Sequence, residues 1–136
     1  MNRKIVESLD QQFVTLLNSL KDLAGSVPPE LLLRSAAIVE QMCGGLTANL
    51  WDDPFEWTLP ETLSSPERII EYLSEVDLAR QRAFNSIRDD SALTRYISAP
   101  AGEQLLVNLL LETLVKASDY RGRAVASSKL LSGEGT

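Results

Sequence analysis

Apolar residues return at steps of three and four through four long stretches of this chain, and no stretch shows a convincing strand pattern. Ile5, Leu9, Phe13, Leu16, Leu17, Leu20 and Leu23 share one face of a helix expected from about Arg3 to Ala24. Asn2 is its expected N-cap, and Gly25 with Pro28 and Pro29 makes its stop. A second helix is expected from about Pro29 to Ala48, with Leu31, Leu32, Ile38, Val39, Met42 and Leu46 as apolar surface. Ala36, Ala37, Gly44 and Gly45 make it thin, so a neighbouring backbone or ligand can come close. The glycine pair also marks a point for a kink or break. The third helix has two candidate starts: Ser65 capping ahead of Pro66, or Ser64 with Glu67 at capping-box spacing. Its apolar face holds Ile69, Leu73, Val76, Ala83, Phe84 and Ile87, and it ends near Asp89-Asp90. Leu93, Tyr96 and Ile97 anchor a short turn or helical piece. The fourth helix is expected from about Pro100 to Leu131. Leu105, Leu106, Leu109, Leu110, Leu114 and Ala117 make it apolar nearly all round, which predicts packing on more than one side.

Four long helices with mostly short links predict an all-α fold, a four-helix bundle forming a single domain over 1–131 with a flexible tail at 132–136. The longest link joins helices 2 and 3 and permits a crossover. It holds Trp51, Phe55 and Trp57, which suit either capping one end of the bundle or a partner surface. It also holds Asp52, Asp53, Glu56 and Glu61. These suit a turn at Asp52-Asp53-Pro54, or oxygen ligation of a hard cation, although the spacing is not that of an EF-hand.

The 136 residues include no histidine and one cysteine, Cys43. Ser-His-Asp and Cys-His catalysis are therefore excluded, as are most zinc, nickel and iron sites. Cys43 has no cationic neighbour in sequence. It reads as a small buried hydrophobe, against the alternative of a nucleophile. The formal net charge of −6 argues against a nucleic-acid or anionic-membrane surface. No apolar stretch near Met1 matches a signal peptide, and Leu105 to Val115 is too short and too polar to span a bilayer. A cytoplasmic protein with neither nucleic acid nor membrane as partner is the expectation.

The last helix carries Lys116-Ala117-Ser118-Asp119-Tyr120-Arg121-Gly122-Arg123 and ends in Leu130-Leu131-Ser132-Gly133. This resembles the closing helix of the DinB/YfiT-like superfamily of small four-helix proteins, where a typical phrase reads His-x-x-x-His-Arg-Gly-Gln. Arg121-Gly122 matches the Arg-Gly pair, and Arg123 stands in place of the usual Gln. The Pro-Glu start of helix 2, the Trp-containing loop and the Ser-Pro-Glu start of helix 3 fit the same layout. Members of that superfamily commonly hold a divalent metal through one histidine of helix 2 and two of the last helix. By register those positions fall on Ser35 or Ala36, and on Lys116 and Tyr120. A lysine cation repels a metal ion and neutral tyrosine is a poor ligand for zinc or nickel. The resemblance thus implies a member without the metal site and with no cofactor in its place, and metal-dependent thiol transfer does not carry over.

Lys116 and Tyr120 lie one turn apart on one helix face, with Glu112 a turn earlier. They define either a small anion-binding pocket, Lys116 giving charge and Tyr120 a hydrogen bond, or a solvated Glu112–Lys116 pair beside a space-filling tyrosine. Asp119 and Arg123 form a second i, i+4 pair. The candidate ligand-binding set is Lys116, Tyr120, Glu112 and Ser35. The function classes are a small-molecule-binding or protein-interaction module, homodimeric if Leu106 and Leu110 face outward, and a non-metal enzyme working through Lys116 and Tyr120.

Overall fold

The periodic apolar faces meet in one core. In the computed structural model, which describes residues 2–52, 63 and 65–132, they are carried by α1 (Lys4–Leu23), α2 (Pro29–Ala48), α3 (Pro66–Asn85) and α4 (Leu106–Ser132). Phe13, Leu17 and Leu20 of α1 meet Leu73, Val76 and Phe84 of α3, and all are sealed from solvent. Helix α2 is the central rod. It buries Leu32, Leu33, Ala36, Val39, Met42 and Cys43 and packs chiefly against α4, then α3. Leu106 and Leu110 of α4 point into this core, so they do not form an outward dimer face.

Charged groups fix the helix ends and their mutual register. Ser65 Oγ accepts from Arg68 N at 3.2 Å, so the start of α3 is the serine–proline form of the two alternatives. The cap of α1 comes from far along the chain. Asp90 accepts from the backbone N–H groups of Ile5 (3.1 Å) and Val6 (2.9 Å), while Asn2 Oδ1 takes only Lys4 N. In return Arg3 donates to the carbonyls of Phe84 and Ile87 at the end of α3. Each side chain places its charge at the helix end whose dipole favours it. Arg80 of α3, almost fully buried, bridges Asp77 (2.8 Å) and Asp10 of α1.

Between α3 and α4 the chain is not helical throughout. A 3-10 helix over Asp90–Thr94 seats Leu93 in the core, and a hairpin follows: β1 (Tyr96–Ala99) and β2 (Gly102–Leu105). They pair antiparallel, Tyr96 opposite Leu105 and Ala99 opposite Gly102. The expected start of helix 4 near Pro100 is therefore corrected to Leu106. The cause is local. Tyr96 and Ile97 favour strand, Pro100 fixes a turn conformation, and Gly102 adopts φ +119°, which residues with a side chain rarely adopt. Leu106 N donates to Arg95 O at 3.0 Å, so the base of the hairpin feeds directly into α4. None of the described helices is long and apolar enough to cross a membrane.

Candidate functional site

Helical spacing decides which side chains of α2 and α4 can face a common space. On α4, Leu109, Glu112, Thr113, Lys116, Asp119, Tyr120 and Arg123 recur at threes and fours. On α2, Arg34, Ile38, Gln41 and Met42 do the same. These two rows, the hairpin turn Ala99–Ala101, Gln104 and Trp51 enclose an open cavity of about 610 Å³.

Of the four residues singled out by sequence, Lys116, Tyr120 and Glu112 line this cavity. Ser35 does not. It is fully buried, and its Oγ donates to the carbonyl of Ala117 at 2.6 Å, tying α2 to α4 behind the cavity wall. Ala36, the other residue at the helix 2 ligand position, is also fully buried and offers no donor atom. The positions that would hold a metal in the resembled superfamily thus supply a cation, a phenol and a hydroxyl already engaged by backbone. They do not fit the group. Among the described residues no three His, Cys, Asp or Glu side chains gather where they could hold a metal ion.

The expected Glu112–Lys116 pair is not formed among the described residues. The ion pair of this wall is Asp119–Arg123 at 2.9 Å, with both side chains more than half exposed and a worth of a few tenths of a kcal/mol. The Arg123 guanidinium also sits 5.3 Å from the centroid of the Tyr120 ring, a cation–π distance. Arg123 is therefore held along the α4 surface by two neighbours on its own helix, whereas Lys116 has no such tether.

The seat of Trp51 accounts for the glycine pair. Helix α2 runs unbroken through Gly44 and Gly45 and ends at Asn49, whose left-handed φ of 54° turns the chain back. A Cβ on Gly44 would lie 2.9 Å from Leu50 O, and one on Gly45 would overlap the Trp51 indole. Gln41 Nε2 holds Trp51 O at 2.7 Å, and the indole Nε1 donates to Asn49 Oδ1 at 2.9 Å. The small pair six residues before a tryptophan was the available signal for this contact. Phe55 and Trp57, and the carboxylates Asp53, Glu56 and Glu61, lie outside the described residues, as does Ser64; Asp52 is exposed.

Gly45→Ala tests this seat. Removing a helical glycine gains up to about 1 kcal/mol, while the overlap costs about 1–3 kcal/mol, so the net loss of stability is small. The decisive readout is emission. In a Trp57→Phe background, where Trp51 is the sole tryptophan, the variant is expected to emit further to the red as the indole leaves its seat. Unchanged emission would contradict the close packing.

Two other titratable groups sit apart from the cavity. Burial pushes the Cys43 thiol up to about 12; Arg80 opposes this, and Glu40 and Asp10 add to it. Such a thiol is not an activated nucleophile. Glu40, half buried, accepts from the Tyr72 hydroxyl at 2.6 Å. Its carboxyl is held above its usual range by burial, against that hydrogen bond and with Glu75 adding to the rise. No family model, curated protein or solved structure matches this chain.

Proposed function

We propose that this chain is a DinB-like four-helix-bundle protein whose inter-helix cavity binds a small monoanionic, partly apolar molecule in place of a metal. The observation that carries the reading is the pairing of Lys116 and Tyr120 on one wall of a cavity of about 610 Å³, a volume typical of ligand sites. Arg34, Lys116 and Arg123 bring positive charge to its lining beside Glu112 and Asp119. Arg123 is already matched by Asp119, which leaves the Lys116 ammonium as the cation for a ligand. Ile38 and Met42 of α2, Leu109 of α4 and Trp51 give the cavity its apolar character, which suits a carboxylate attached to a hydrocarbon or aromatic body. In this reading Lys116 supplies the charge-assisted bond and Tyr120 a neutral one.

A thermal-shift screen of small monocarboxylates, followed by titration of tryptophan emission, tests the proposal. A bound monoanion is expected to lose about 10- to 100-fold in affinity in Lys116→Ala, since a hydrogen bond to a charged group is worth about 1.5–3 kcal/mol. Tyr120→Phe should lose roughly 2- to 10-fold. Equal affinity in Lys116→Ala, or stabilisation by neutral analogues alone, would overturn it.

A further inference from the structure

One side of α4 carries no charge over about four turns. Leu111, Val115, Ser118, Gly122 and Ala126 follow at steps of four, three, four and four, which keeps them in one stripe, with half-buried Ser118 on its edge toward α1. The outward faces of α1 and α3 differ in mixing charges, Glu7, Asp22, Glu67, Glu71 and Arg82, with their exposed apolar residues Ile5, Ile70 and Leu78. On α4, Leu111 is 44% and Val115 66% exposed. Gly122 is unexplained within the chain: a Cβ there would meet nothing within 4 Å, yet glycine costs a helix about 1 kcal/mol relative to alanine.

Along one flank of the stripe runs a row of charges: Glu112, Lys116, Asp119 and Arg123, alternating in sign from negative to positive. Reversed in direction, the row changes sign at every position. The two oppositely charged pairs, 112 with 123 and 116 with 119, are centred on the same point, midway between residues 117 and 118. The bulky and small residues of the stripe are arranged about that point too. Leu111 and Val115 lie on one side of it, Ser118, Gly122 and Ala126 on the other.

We infer that this face docks a second copy of this chain, the two α4 helices running antiparallel about a two-fold axis level with the bond between Ala117 and Ser118. A two-fold axis brings the same flank of each helix together, as in any isologous contact. Glu112 then meets the partner's Arg123, and Lys116 meets the partner's Asp119. In the same register Leu111 enters the gap between the partner's Gly122 and the partner's Ala126. Val115 enters the gap between the partner's Ser118 and the partner's Gly122. One alignment satisfies both the charges and the shapes, covers the two exposed apolar side chains and gives Gly122 a reason, which is close approach of a second backbone. The inference goes beyond the ligand-binding reading but draws on the same Lys116: in the dimer the partner's Asp119 takes the ammonium that a bound anion would otherwise take.

Sedimentation equilibrium at about 100 μM, where a dimer of micromolar Kd is populated, is expected to give twice the chain mass for the wild type. Val115→Asp should give the single-chain mass with unchanged far-ultraviolet circular dichroism, because the site is exposed in the isolated chain. Orientation is read by oxidation. Two copies of Ser118→Cys face each other near the axis and should form a disulfide-linked dimer. Two copies of Gly122→Cys lie about 13 Å apart along the helices and should not. Cys43 is buried and does not compete. A wild type that stays monomeric at this concentration, a dimer indifferent to Val115→Asp, or cross-linking of Gly122→Cys as fast as Ser118→Cys would each overturn the inference.

Discussion

Phe84→Ala is expected to lower the free energy of unfolding by about 3–5 kcal/mol, measured by urea denaturation. Phe84 is 1% exposed, and its ring centroid lies 5.5 Å from that of Phe13, tilted by 50°, where α3 meets α1. Large-to-small changes cost most where the surroundings cannot close in on the hole. Here they are braced. Arg3 Nη2 holds the Phe84 carbonyl at 2.9 Å, Arg80 ties α3 to Asp10 of α1, and Asp90 fixes the start of α1. Leu78→Ala on the same helix is the control. Leu78 is 51% exposed, and its replacement should change stability by no more than about 0.5 kcal/mol. A loss below about 1 kcal/mol for Phe84→Ala would mean that the α1–α3 contact is not the close-packed junction described.

The residues of that junction were legible from spacing alone, because a helix that buries one stripe must repeat its apolar residues every three or four positions. Phe13, Leu16, Leu17 and Leu20, and Ile69, Leu73, Val76 and Phe84, are all buried as the pattern requires. The pattern blurs where helices begin: Ile5 is 56% exposed, and Val6 takes its place in the core. The braces were not legible. Asp90 caps α1 through Ile5, 85 residues earlier, and only tertiary structure brings them together. The hairpin had a local signal, Pro100 and Gly102 after two strand-forming residues, but Leu105 to Leu110 continues a helical period so strongly that it hides the turn before it. For the cavity, one-turn spacing placed Lys116 and Tyr120 on a common wall. Ser35 missed that wall by a single residue. One step along a helix is a rotation of about 100°, enough to move a side chain from the row of Arg34 and Ile38 into the α2–α4 seam.

Farther along α2, on the side that feels Arg80 of α3 and Asp10 of α1, Cys43 makes stability depend on alkaline pH. The thiol titrates at about 12 in the folded chain against an ordinary value of 9.0. Between these values the folded state keeps the proton and the unfolded state has released it. The unfolded state then binds fewer protons, so stability falls as pH rises, by about 1.4 kcal/mol per pH unit from Cys43 alone, and about 4 kcal/mol across the window. Below about pH 9 this contribution is flat. Lysines and tyrosines titrate in the same range, so the quantity to measure is the difference in unfolding free energy between wild type and Cys43→Ala. Followed from about pH 8 to 11, that difference should hold steady at first and then shift against the wild type at about the stated slope. Alanine at 43 adds only a pH-independent offset, from the small cavity it leaves. A difference that stays constant through pH 11 would show that the sulfur reaches solvent. It would also show that α2 does not seal its side of the core around Val39 and Cys43.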